Sequence, residues 1–248
     1  MAEQPRDIRH GSPDDTQGQD ERTVKRLCLG VGLTGLLLPV VLPIGNSLFM
    51  HRAVWLVSIS ASYYTGMRNF FVGGMCAMGV FLVCYRYDRR EDRLSSVAGL
   101  LAVLVALFPT LPPSFAGRRP THFQQVTGVF HEVFATALFM VLAYFCLRLF
   151  RDAPRTDRRR RRRALVYLLC GGALVAGIAL IAVFAVLHLS WGLPLTAMYA
   201  GESLGVISFG VAWLVRSEAL EDAATALRRV GGRMAMAASG GAPSAPPG

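Results

Sequence analysis

The chain has 248 residues, 53% apolar and 17% charged, against roughly 25% charged in an average soluble domain. Its net charge is +10 and its mean hydropathy +0.41, and the charges gather into short runs between long uncharged stretches. These values exclude an ordinary soluble domain and point to a polytopic membrane protein.

In chain order, residues 1–24 form a polar, partly acidic tail without the short basic opening of a secretory signal, and they are expected to be disordered and cytoplasmic. Six apolar stretches follow, at residues 27–49, 70–84, 94–111, 126–147, 164–189 and 195–215. A spanning helix needs about 20 such residues to cross roughly 30 Å of hydrocarbon. The second reaches that length only with Arg68 and Tyr87 at its two interfaces. The stretches are too long and too continuous for barrel strands, so the expected fold is all-α: a bundle of six transmembrane helices within residues 25–216. Acids early and arginines late across residues 217–230 predict a short cytoplasmic helix continuing the last span. Residues 231–248 are Gly, Ala, Pro and Ser with few large apolar side chains, and disorder is expected there. There is no internal repeat.

Lys and Arg divide unevenly between the two sides. The tails and the even-numbered loops carry 22, and the odd-numbered loops carry four: Arg52, Arg68, Arg118 and Arg119. The positive-inside rule therefore predicts both termini in the cytoplasm, and the expected location is the cell's inner (plasma) membrane. Arg158, Arg159, Arg160, Arg161, Arg162 and Arg163 abut the fifth span on that side. Anionic lipid headgroups, which attract each basic residue by about 1 kcal/mol, account for the run without a nucleic-acid partner.

Cys28, Cys84, Cys146 and Cys170 fall toward cytoplasmic ends and Cys76 near mid-membrane, so they read as packing groups. Gly201 and Gly205 form a GxxxG pair, and Gly73/Ala77 and Gly172/Ala176 share its spacing. All three predict close helix contacts, within the chain before between chains. Pro39 and Pro43 predict a kink in the outer half of span one.

That outer half collects the chemistry. His51, His122, His131 and His188 all lie there, as do Glu132 and Glu202, the only acids outside the cytoplasmic segments. Glu202 lies on the order of 10 Å below the start of span six. An ionisable group at that depth faces the bundle and needs a partner, for which Arg68, His131 and His188 are the candidates. The first outer loop, residues 55–69, alternates Ser58, Ser60 and Ser62 with apolar residues and carries Trp55, Tyr63 and Tyr64. It reads as a short extended or interfacial lid, or as an aromatic anchor at the membrane surface.

The run SISASYYTGMRNFFVGGMCAMGVFLVCYRYDRREDRLSSVAGLLAVLVALFPT, with HEVFATALFMVLAYFCLRLF and ESLGVISFGVAWLVRSE, resembles a family of bacterial six-span membrane proteins classed as a domain of unknown function. The likeness covers most of the membrane part and neither tail. It implies that Ser58, Ser60, Tyr63, Tyr64, Arg68, Tyr87, Asp88, His131 and Glu202 are recurring positions. Asn69 stands where the family often has Asp, and Ser62 interrupts its Ala-Tyr-Tyr. The architecture also resembles Frag/DRAM/Sfk-type proteins, which implies lipid organisation or regulation.

Three function classes are open. In the leading one, Ser58, Ser60, Tyr63, Tyr64, Arg68, His131 and Glu202 bind a lipid or partner without a cofactor, Arg68 pairing an anionic group under the aromatic segment. In the second, a ceramidase-like lipid hydrolase, His131 and His188, joined by His51 or His122, hold Zn²⁺ with Glu202 as general base. No HxxxH or HExxH is present to support it. The third is a proton-coupled carrier using Glu202 and His131 as a relay, without an inverted repeat.

Overall fold

The computed structural model describes residues 13–51, 56–86, 89–113, 119–149, 158–187, 196–218 and 229. Among these the chain forms six α-helices and no strand: α1 Pro13–Phe49, α2 Arg68–Cys84, α3 Arg89–Leu107, α4 His122–Tyr144, α5 Arg158–Val186 and α6 Ala197–Arg216. Four are long and apolar enough to cross a membrane, over Arg22–Phe49, His122–Arg148, Arg161–Val186 and Ala197–Arg216. α2 is apolar but has 17 residues, about 25 Å at 1.5 Å per residue. α3 has 19 residues and opens with Arg89, Arg90, Glu91, Asp92 and Arg93, which shortens its apolar part.

Each helix packs on its chain neighbours, and α1 closes on α6, so the six make a ring. Three seams of the ring are glycine contacts. A Cβ built at Gly79 would lie 2.7 Å from the Gly99 carbonyl oxygen (α2 on α3), one at Gly210 2.8 Å from that of Gly32 (α6 on α1), and one at Gly177 2.6 Å from that of Gly201 (α5 on α6). Where no hydrophobic force drives helices together, such backbone proximity is what holds them. The expected intrachain role of Gly201 and Gly205 is met, since Gly205 faces Phe139 of α4. Gly73 and Gly172 are different: nothing lies within 4 Å of a Cβ at either, so the seams expected at Gly73/Ala77 and Gly172/Ala176 are corrected to outward-facing positions.

Boundaries shift for local reasons. The tail expected to be disordered to residue 24 is helical from Pro13, where Pro-Asp-Asp is a helix-start sequence. α3 stops at Leu107 rather than 111, because Pro109 disfavours helical backbone at Phe108. Thr121 caps α4 in a capping box with Gln124, so His122 is the first helical residue and not part of a loop. α4 ends in a π-helical turn, Phe145–Leu149. α6 does not run on as expected: Ser217 closes it and Glu218 turns to φ 59°, the left-handed geometry that ends helices. Residues 219–228, most of the predicted cytoplasmic helix, lie outside the described residues.

A buried aromatic cluster fills the end of the ring where α6 finishes. Trp213 is fully buried, with Tyr85 edge-on at 4.9 Å and Phe145 and Phe209 each at 5.7 Å. Around this cluster Glu91 accepts from the Tyr85 hydroxyl at 2.6 Å and pairs with Arg216 at 3.1 Å. Glu218 adds a second clamp, to Lys25 of α1 at 3.2 Å and Arg163 of α5 at 3.3 Å. All five cysteines are free, with Cys28, Cys146 and Cys170 buried as packing groups.

Candidate functional site

At the other end of the ring the chain turns inward. Residues 56–67 are not extended: a 3-10 turn, Ser60–Tyr64, buries Ser60, Ala61 and Ser62. Buried backbone outside an α-helix needs protein groups to satisfy it, and side chains hold this segment at several points. The Ser58 hydroxyl accepts from the Ala61 N–H at 2.8 Å. Thr196, which caps α6, donates its hydroxyl to the Val57 carbonyl. The Tyr64 hydroxyl donates to the Thr110 carbonyl at 2.6 Å.

Glu202 is the central tie. It is 8% exposed and accepts the backbone N–H of Ile59 and, at 3.3 Å, the hydroxyl of Ser60. The expectation that Arg68 or His131 partners Glu202 is therefore corrected; His188, the third candidate, lies outside the described residues. A short peptide stretch that leaves helical geometry has N–H groups with no helical acceptor, and a carboxyl group can take two of them.

Arg68 is exposed at the start of α2, its guanidinium 4.1 Å over the Tyr63 ring and bonded to the Tyr63 hydroxyl at 2.5 Å. Tyr63 and Tyr64 stand edge to face at 5.5 Å. These three form an outer rim and not a cover for Glu202. His131 is 2% exposed, and its Nδ1 lies 2.7 Å from the Phe108 carbonyl, so that nitrogen carries the proton. The histidine takes up a carbonyl at the proline-broken end of α3. Thr110 beside it donates to Glu132 at 3.4 Å.

Beside the 3-10 turn lies a partly open cavity of about 50 Å³, well below the roughly 300–1,000 Å³ of a site that encloses a whole small molecule. Its walls are apolar: Phe71, Met75 and Met78 of α2, Val105 of α3, Ala135, Leu138, Phe139 and Leu142 of α4, and Val206 and Phe209 of α6. Its polar lining is the Glu202 and Ser60 pair at one end. Of the seven residues expected to bind ligand, the structure brings Ser60 and Glu202 to this cavity, and gives Ser58, Tyr63, Tyr64, Arg68 and His131 other partners.

Among the described residues, no group of three or more His, Cys, Asp or Glu is placed to hold a metal ion. Two interactions had no counterpart in the sequence reading. Tyr199 donates its hydroxyl to the Pro39 carbonyl, a group left without its helical donor because Pro43 has no N–H. The Glu91, Tyr85 and Arg216 cluster was hidden by a charge run that reads as solvated. Proline spacing is the signal for the first; an acid within RREDR beside an apolar run is a faint one for the second. Comparison with protein-family models, curated proteins and solved structures finds no match to this chain.

Proposed function

We propose that this chain is a six-span inner-membrane protein, both termini cytoplasmic, that engages an amphipathic lipid at the cavity beside residues 56–67. The cavity carries the reading: apolar on its walls and polar at one end, with about 50 Å³ of space it admits one end of such a molecule and leaves the rest outside among the helices. The resemblance of residues 58–110 to bacterial six-span proteins agrees with the topology, as does the distribution of 22 basic residues against four. Arg161 and Arg162, exposed at the start of α5, meet anionic headgroups at the cytoplasmic surface. Arg68 sits at the rim, outside the cavity, and does not hold the ligand.

Native mass spectrometry of the chain released from mild detergent tests this. Wild type and Arg68→Ala retain a lipid adduct, whereas Ala135→Phe, which fills the cavity, loses it while staying monodisperse. An adduct unchanged in Ala135→Phe and in Val206→Phe would place the lipid on the outer surface and overturn the reading.

A further inference from the structure

The end of the ring where α6 finishes holds one of the chain's own acids among a surplus of cations. Glu218 divides its carboxylate between two helices: Oε2 lies 3.2 Å from the Nζ of Lys25 on α1, and Oε1 accepts from Arg163 of α5 at 3.3 Å. Arg22 and Arg26 stand within one turn of Lys25, and Arg161 and Arg162 precede Arg163, all four exposed. Even with Glu21, one turn before Lys25, counted beside Glu218, six positive charges meet two negative ones. Cations crowded in this way repel one another, and the surplus draws in a further anion.

Glu218 is a displaceable occupant. Its φ of 59° is left-handed, a strained geometry for a residue with a Cβ, and it lies two residues beyond the end of α6. Its pairs are wet, with 49% of the Lys25 side chain and 39% of its own exposed, and pairs in water hold weakly. Arg216 differs: it meets Glu91 in a mostly buried pair and is held by the Tyr85 hydroxyl as well. We infer that Lys25 and Arg163 form a binding site for a phosphate group, which Glu218 fills when no ligand is bound. A phosphate offers paired oxygens as a carboxylate does, so it suits the same two cations, and its additional oxygens and charge suit the arginines beside them. The group is borne by a lipid head or free in solution. The site lies at the opposite end of the ring from the cavity; of the proposed function it takes up only the meeting of Arg161 and Arg162 with anionic headgroups.

Lys25 is the one lysine in the chain, which gives the wild-type protein a direct readout. Full-length protein in detergent is acetylated with an amine-reactive ester at constant ionic strength, and modification of Lys25 is followed by peptide mass spectrometry. The probes are inorganic phosphate, dioleoyl phosphatidic acid and, as the head without net charge, dioleoyl phosphatidylcholine. A phosphate probe is expected to slow the reaction of Lys25, and phosphatidylcholine is not. Protection by phosphatidic acid alone assigns the group to a lipid head, and protection by inorganic phosphate assigns it to the phosphate itself. Glu218→Gln removes the internal competitor, so it should lower the half-protecting concentration about threefold, the scale of exposed ion pairs, and Arg163→Gln should raise it as much. Asp92→Asn, the same charge change on α3, should shift it less. Lys25 reacting at full rate with every probe, or equal protection by phosphatidylcholine, overturns the site. So does a half-protecting concentration that stays or rises in Glu218→Gln, or one that falls as far in Asp92→Asn. None of these readouts involves the cavity, so a negative result here leaves the reading at the cavity standing.

Discussion

The carboxyl group of Glu202 on α6 holds the backbone N–H of Ile59, 143 residues earlier in the chain. That bond fixes a short non-helical segment inside a helical ring, and it explains an acid at a depth where acids are costly. Glu202→Leu leaves a buried N–H and the Ser60 hydroxyl without acceptors, a loss of about 1–3 kcal/mol. Glu202→Gln keeps a carbonyl oxygen able to accept from Ile59. Thermal unfolding in detergent should rank wild type, Gln and Leu in that order. Equal losses for Gln and Leu would show that hydrogen bonding to the segment is not what Glu202 supplies.

Tyr199 and Pro43 form a second long-range relationship, through the Pro39 carbonyl. Tyr199→Phe strands that carbonyl and should cost about 0.5–1.5 kcal/mol. In Pro43→Ala the residue at 43 regains an N–H and can serve the Pro39 carbonyl within α1. The penalty of Tyr199→Phe should then shrink toward zero. A double-mutant cycle read by unfolding midpoint measures the coupling, and additive effects would break the link between the two residues.

A membrane protein was legible in the sequence because long uncharged runs have few alternatives; each of the six expected stretches overlaps a helix, and four of those helices are long and apolar enough to cross a membrane. Burial was legible too: Glu202 lies among the buried residues of α6, as an ionisable residue in an apolar helix is expected to. Its partner was not, because side chains advertise themselves by type whereas a backbone N–H leaves no mark in the sequence. His131 misled for the same reason. Its position reads as that of a partner for Glu202, and a backbone carbonyl at the end of α3 takes it instead. The loop of residues 56–67 reads as interfacial because Tyr63 and Tyr64 are interfacial residues, and both do stand at the rim; the burial of Ser60 and Ser62 follows from the ring around them.

Glu91 and Arg216 form a mostly buried pair at the opposite end, with side chains 9% and 22% exposed. Removing either alone leaves the other uncompensated beside Trp213 and Tyr85. Glu91→Ala and Arg216→Ala should each cost up to about 3 kcal/mol, and the double variant clearly less than their sum, since the second removal relieves an unpaired charge. Additivity in denaturation of the four proteins would mean the two charges are solvated independently.

The orientation of the ring has a direct readout at two exposed positions, His122 at the start of α4 and Arg161 near the start of α5. On a cysteine-free background, His122→Cys should react with an impermeant maleimide in intact cells. Arg161→Cys should react only after lysis. The reverse pattern would invert the topology and move the cavity's polar end toward the cytoplasm.

Glu218 gives the protein an acid limit. Burial raises its carboxyl pKa, but Lys25 and Arg163 outweigh that and hold it below the ordinary value of 4.5. Between its folded pKa and 4.5 the unfolded chain binds the extra proton, so the clamp contributes fully above about pH 4.5 and is lost as pH falls through the folded value. The group is 39% exposed, which limits the effect to about 1 kcal/mol or less. Wild type should therefore lose unfolding temperature more steeply below pH 4.5 than Glu218→Gln, with the two running parallel at higher pH. Glu218→Gly separates charge from geometry. It removes the same acid dependence but relieves the φ of 59°, recovering stability that Gln does not. If the Gly variant keeps the steep acid loss of wild type, the acid limit lies in another carboxyl group.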